Sequence, residues 1–335
     1  MQGKKDQFRD YSKSEQVERT YQHMQENQTA ARVAELNERY TTEAGYTDCN
    51  GNKIRETIMD VFKLLDQIID ESDPDTDLPQ SFHAYQTGEA LKDCIDPDKP
   101  TQLKPIPINH LFSDEEWKGL PDEVRESYYN YLDELYPEIE NWSWLPLIGF
   151  IHDLGKVLAL QNWGKLPQSF VVGDTFPIGA PFSQSNVYYK QGFFKKNPDL
   201  NFEEKSDNHL FGKYEMHTGF DHLDMSFGHD EYMYSVLKRT IHHLPKEALY
   251  LIRFHSFYPW HTPRDGKPRG YTELASAEDW RMLPLLKLFQ QCDLYSKKAK
   301  LPNKEQLKKY YDELIKHFIP GRECEYDLRS AKLLW

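Results

Sequence analysis

The run "WLPLIGFIHDLGKVLAL", residues 144–160, constrains the fold of this chain more than any other stretch. Its apolar residues lie on every side of a helix, so the segment reads as a central helix packed by other elements all round. Yet it carries His152, Asp153 and Lys156. An ion alone in an apolar interior is neutralised or paired, because desolvating it is too costly to leave uncompensated. Metal coordination is one such compensation, since imidazole nitrogens and carboxylate oxygens are ordinary ligands of zinc, iron and manganese. An HD dipeptide by itself proves little in a chain with 13 histidines, and a second one stands at His229-Asp230.

Other residues strengthen the case. His83 in "SFHAY", His229 in "SFGHDEYMY", His255 in "RFHSFYPWH" and Asp293 in "FQQCDLY" are also embedded in apolar or aromatic helical text. Singly, each reads as a core histidine bonded to the backbone or as a helix-terminal carboxylate. Together with His152 and Asp153 they are hard to satisfy without metal. Six such ligands exceed what one catalytic ion with open positions takes, so two ions bridged by a carboxylate are the economical reading.

Composition narrows the partners. In 335 residues, 39% are hydrophobic and 28% charged, enough apolar content to bury a sizeable core and too much for global disorder. The net charge of −13 disfavours nucleic acid, whose phosphates need a basic stripe. Cys49, Cys94, Cys292 and Cys324 stand far apart without CxxC pairs, which fits reduced thiols in a cytoplasmic protein. The polar start "MQGKKDQFRDY" has no apolar segment behind it, and no run is long enough to span a bilayer, so neither a secretory signal nor a membrane partner is expected.

Helical signals dominate, and the expected class is mainly α: a helical bundle with long loops, forming one domain over residues 1–335. Residues 1–42 are expected to form an N-terminal cover, with one long helix from Ser14 to about Tyr40. Apolar residues at steps of three and four predict a second helix over Ile54–Ile69. After the acidic turn "DESDPDTDLPQS", Ser81 is a candidate N-cap, which puts His83 in the first turn of a helix. Residues 96–141, rich in proline, acid and tyrosine, read as a surface insertion. The Gly, Pro and aromatic text of 171–220 predicts loops with room for a short hairpin, and helices return over roughly 229–241, 246–258, 277–298 and 303–317.

The order His83, His152-Asp153, Asp293 resembles the H…HD…D pattern of HD-domain metalloproteins, which are helical bundles. The longer strings "DESDPDTDLPQSFHAYQT", "HDLGKVLAL", "VVGDTFP", "GHDEYMY" and "RFHSFYPWHT" resemble the myo-inositol oxygenase family, non-haem di-iron enzymes of that fold, and the likeness runs from Phe8 onward. Residues 96–141 and the stretch "QNWGKLPQS" look longer than the family pattern. The resemblance implies ring cleavage of myo-inositol by O2 to D-glucuronate at a mixed-valent Fe(II)/Fe(III) pair. It assigns His83, His152 and Asp293 to one iron, His229 and His255 to the other, and Asp153 as the bridge, with Asp230 outside. It gives Lys156 a hydrogen bond to the reacting hydroxyl, and makes Lys156 and Asp153 the catalytic pair. For the sugar it implies Arg9, Asp70, Glu71, Ser72, Asp73, Gly173, Asp174, His255 and Ser256.

A carboxylate- and hydroxyl-rich lining suits an uncharged hexol, whose hydroxyls each donate and accept. Asp73, Asp75 and Asp77 have the start of an EF-hand, but Leu78 replaces its glycine and Ala84 its final glutamate, so calcium is not expected. The alternative activity is an HD-type metal-dependent phosphohydrolase, with two metals activating water against a phosphate ester. A carboxylate lining would repel that substrate. No protein partner is implied, and a monomer suffices.

Overall fold

A computed structural model of the chain describes residues 14–42, 54–73, 79–200, 211–263, 267–296, 304–320 and 332–335. The architecture is mainly helical, with short two-stranded pairings at the edges. Two helices open it, α1 (Glu15–Asn27) and α2 (Ala30–Thr41), each begun by a hydroxyl cap, Ser14 on Val17 N and Thr29 on Arg32 N. One continuous helix was expected here. It breaks because Gln28 turns inward, donating to Phe227 O at 2.7 Å and accepting from Phe227 N at 3.0 Å. A buried amide bonded to distant backbone outweighs helix propensity.

The helix expected over 54–69 is also cut short. Strand β1 (Arg55–Thr57) comes first, then α3 (Ile58–Leu64) and a 3₁₀ turn over Leu65–Gln67. Thr57 caps α3 through Asp60 N. Helix α4 (Gln80–Lys92) starts after Pro79 rather than at Ser81, whose hydroxyl instead bonds Asp66. The hairpin is β2 (Ile95–Asp96) with β3 (Lys99–Leu103), not within 171–220, where the sole bridge among the described residues joins Pro177 to Met225. The 96–141 stretch continues with α5 (Asp114–Lys118) and α6 (Asp122–Ser127) and buries Leu103, Ile108, Leu111, Phe112, Leu132 and Leu135 in the common core.

The apolar run holds the centre, but as two pieces: α7 (Leu145–Ile151), a turn at His152-Asp153, and a 3₁₀ segment over Leu154–Ala159. Every residue from Leu145 to Leu158 is buried. Helices α8 (His229–Lys238), α9 (Lys246–Phe254), α10 (Tyr258–His261), α11 (Ala277–Ser296) and α12 (Lys304–Phe318) follow, and β4 (Lys332–Leu334) pairs antiparallel with β1. The core sits where α4 packs on α7 and α11, while α8 packs on α9 and on the 154–159 segment. Stacked rings of Phe150 and Tyr311, centroids 4.4 Å apart, tie α7 to α12. No helix among the described residues is long and apolar enough to cross a membrane.

Candidate metal centre and its cavity

Five elements bring the expected ligands together: His83 from α4, His152 and Asp153 from the turn after α7, His229 from the first position of α8, His255 just past α9, and Asp293 from α11. All six are buried. Gly155 makes the approach of two of these elements possible. A Cβ there would lie 2.0 Å from His229 O, so only glycine lets the "HDLGK" segment rest on the start of α8.

The imidazoles are oriented by their outer nitrogens. His152 Nδ1 lies 2.7 Å from Gly149 O, His229 Nδ1 2.6 Å from Val171 O, and His255 Nδ1 2.9 Å from Ile252 O. A carbonyl only accepts, so each Nδ1 donates, and each ring, when neutral, turns a bare Nε2 inward. His229 Nε2 and His255 Nε2 stand 3.0 Å apart. Two lone pairs repel at that distance unless a proton or a metal ion lies between them. Two nitrogens bound at about 2.1 Å on neighbouring positions of one ion would sit roughly 3 Å apart.

Asp153 divides the set. Its Oδ1 is 3.2 Å from His229 Nε2 and 3.9 Å from His255 Nε2, whereas Oδ2 is 3.4 Å from His152 Nε2 and 3.7 Å from His83 Nε2. Asp293 Oδ1 joins the second side, 2.7 Å from His83 Nε2 and 3.5 Å from His152 Nε2. His83, His152 and Asp293 can hold an ion, and so can His152, Asp153 and His255, so His152 borders both places. The donor set fits a metal on its chemistry: imidazole nitrogens and two carboxylates converge in a buried pocket, and the inward nitrogens of His229 and His255 have no proton donor facing them.

Electrostatics act differently on each member of the set. Burial would raise Asp153, but the charges of His152 and Lys156 hold it well below the carboxylate range. Burial, with the His152 and His229 charges, drops His255 well below the usual histidine value, so its Nε2 lone pair is free to bind. Burial also tends to lower His152, yet Asp153 and Asp293 raise it overall. Lys156 is desolvated as well, but Asp153 and Asp70 keep its ammonium charged. It donates to Asp70 Oδ2 at 2.8 Å, Gln80 Oε1 at 2.8 Å and Asp153 Oδ2 at 2.9 Å. Asp70 is pushed up by burial and pulled down by Lys156 to about 2.

Above this floor lies a small polar cavity, partly open to solvent, lined also by Asp70, Ser72, Asp73, Gly173, Ser256 and Tyr258. Ser72 folds back, its hydroxyl donating to Asp70 Oδ1 at 2.6 Å. Gly173 has φ +98° and packs against Met24, which a Cβ would approach to 2.4 Å. Two expected contacts do not line the cavity. Glu71 is exposed and accepts from Gln16 Nε2 at 3.0 Å, and Asp174 is buried behind the wall, accepting from the Tyr21 hydroxyl at 2.8 Å. Arg9, like Asp75 and Asp77, lies outside the described residues. Asp230 stays off the lining, and burial raises its carboxyl to about 6.

A model of the myo-inositol oxygenase family matches residues 14–106 and 126–326, most of the chain. The chain belongs to the myo-inositol oxygenase family. It is 41% identical over 265 residues to the inositol oxygenase of Homo sapiens, covering 79% of this chain and 74% of that one. It is 37% identical over 320 residues to the inositol oxygenase of Mus musculus, covering 95% and 90%. With the inositol oxygenase of Dictyostelium discoideum it shares 37% over 317 residues, 94% and 89% of the two chains.

Not all of the centre's surroundings follow from the myo-inositol oxygenase motifs read in the sequence. Gln80 and Tyr258 were not anticipated, although each stands three residues from a ligand, Gln80 before His83 and Tyr258 after His255, the spacing at which neighbouring turns share a face. Residues 107–125 fall outside the myo-inositol oxygenase match and carry α5. Cys94 and Cys292, far apart in sequence, meet with sulfurs 3.9 Å apart and both thiols free.

Proposed function

We propose that this chain is an inositol oxygenase that cleaves the ring of myo-inositol with O2 to give D-glucuronate and water, using two iron ions as a mixed-valent Fe(II)/Fe(III) pair. The observation that carries this reading is the shared carboxylate of Asp153, whose oxygens face two groups of inward imidazole nitrogens below a polar cavity. His83, His152 and Asp293 would hold one iron, His229 and His255 the other, with Asp153 common to both. Bound iron would supply Lewis acidity toward hydroxyls and electron transfer with O2.

The chain's own groups do the rest. An uncharged hexol presents donors and acceptors all round, so it needs both kinds of partner in the wall. Asp70, kept ionised by Lys156, and Asp73 accept; the hydroxyls of Ser72, Ser256 and Tyr258 do either. The three ammonium protons of Lys156 are engaged by Asp70, Gln80 and Asp153. A substrate hydroxyl therefore has to take the place of one acceptor, and Gln80, the uncharged one, is the least costly to displace. The ammonium then favours loss of the proton from that hydroxyl oxygen.

The phosphohydrolase alternative needs a cation free for phosphate. Lys156 is committed to two carboxylates, and Asp70 and Asp73 on the rim repel an anion. The same reading makes this a cytoplasmic enzyme with reduced thiols that acts on a small polyol without nucleic acid or membrane. The test is one aerobic incubation of iron-loaded chain with myo-inositol, scored for glucuronate, beside a panel of phosphate monoesters. Glucuronate is expected; phosphate release without glucuronate sinks the proposal.

A further inference from the structure

His261 closes α10 with no exposed surface, lies off the cavity lining, and has no part in the chemistry above. Its Nε2 is 2.9 Å from the carbonyl oxygen of His255. That oxygen only accepts, so Nε2 carries the proton, and the Nδ1 of the neutral ring is left as an acceptor. Thr262 Oγ1, 2.9 Å from Nδ1, donates to it. The same Oγ1 accepts a longer contact, 3.5 Å, from Lys287 Nζ on α11. Lys287, itself buried, donates at 2.6 Å to Glu116 Oε1, and Glu116 Oε2 accepts from Ser113 N at 2.8 Å in the capping box of α5. The donors run in one direction, from the Lys287 ammonium through Thr262 and His261 to the His255 carbonyl, so each bond polarises the next.

The carbonyl at the end of this chain matters because of where it lies. Helix α9 stops at Phe254, and residues 255–257 turn into α10. The carbonyls on either side are held by backbone: Phe257 N bonds Phe254 O at 3.0 Å, while Thr175 N and Tyr258 N each bond Ser256 O at 2.9 Å. Between them, the His255 carbonyl is held by a side chain. The peptide that follows His255 sets ψ of His255 and φ of Ser256, the torsions of the turn from which both side chains reach the cavity.

We propose that His261 is a positioning residue for the candidate metal centre: through the His255 carbonyl it fixes the turn that presents His255 and Ser256. The proposal rests on the functional reading only in treating His255 as a ligand. It also gives residues 107–125, outside the family match, a connection to the site through Glu116 and Lys287, six residues before Asp293 on the same helix.

The test titrates metal-free chain anaerobically with Co(II) in a calorimeter, and measures KM for myo-inositol in iron-loaded chain, for wild type, His261→Phe, His261→Gln and Thr262→Val. Removing a hydrogen bond that orients a ligand weakens metal binding by about 10- to 100-fold. His261→Phe should show such a loss and a raised KM. His261→Gln, whose amide nitrogen restores a donor near the Nε2 position, should recover most of both, and Thr262→Val should lie between it and the phenylalanine variant. Equal defects in the Phe and Gln variants, or wild-type cobalt affinity in the Phe variant, overturn the proposal. If His261→Phe does not fold, the near-isosteric Thr262→Val decides: weakened cobalt binding supports the relay, and unchanged binding overturns it. Absence of glucuronate from the wild type would defeat the proposed activity instead, leaving the cobalt titration to judge His261.

Discussion

Two buried charged clusters sit side by side on α8 and α9, and they are built on opposite rules. In the first, Arg253 donates to Glu231 Oε2 at 2.7 Å and Oε1 at 3.4 Å, and to the carbonyls of Asp221 and Leu223 at 3.1 Å each. Donors meet acceptors and the set is complete within the protein. In the second, two residues away along each segment, His229 at the start of α8 and His255 just past α9 point inward nitrogens at each other and at Asp153. Acceptors meet acceptors. Buried charge alone therefore does not distinguish a scaffold from a site; the informative difference is whether the hydrogen-bond donors suffice.

If that contrast is right, changes in the two clusters should have separable effects. The largest is expected from Asp153→Asn, which removes the charge shared by both halves: metal content falls well below two ions per chain, and turnover drops by more than the about 100-fold typical of outer positions. Two ions retained after chelator dialysis would refute the bridging role. Lys156→Met comes next, leaving metal content near wild type while turnover falls about 100-fold, as for loss of one stabilising donor; an unchanged rate takes Lys156 out of the chemistry. In the complete cluster, Arg253→Met should leave Glu231 uncompensated and cost about 3–5 kcal/mol of stability, read as a lower Tm, with metal stoichiometry preserved.

The smallest effect concerns pH. Burial pushes Glu116 up, but the Lys287 charge and hydrogen bond hold it below its ordinary value. A carboxyl lowered on folding adds stability above its unfolded pKa and loses it as pH falls through the folded one. The Tm advantage of wild type over Glu116→Gln should thus be full at neutral pH and fade as the solution is acidified below the ordinary glutamate range; an advantage that persists there would show that packing, not charge, is responsible.

The convergence of the six candidate ligands was legible because they lie in long local strings: "HDLGKVLAL" or "GHDEYMY" keeps its residue types together whatever surrounds it. The mainly helical class followed from periodicity for the same reason. What escaped depends on distant backbone. Nothing near Gln28 announces that its amide will bond residue 227, so the break between α1 and α2 could not be read. Likewise β1 exists because the chain end returns to pair Arg55 with Leu334, which shortened the helix expected from Ile54. His152 and Asp153 fall in a turn rather than mid-helix because α8 crowds the next residue but one. His261 lies within "RFHSFYPWHT" but no role could be read for it, since a histidine that serves another's carbonyl has no spacing rule.

Gly155 sets a limit on how far this scaffold can vary. Because a single methyl there would collide with the main chain of His229, the position is sterically saturated although it never meets a substrate. In a saturation library scored for product, alanine at 155 should fare as badly as any larger residue, a cliff where neighbouring core positions show a slope.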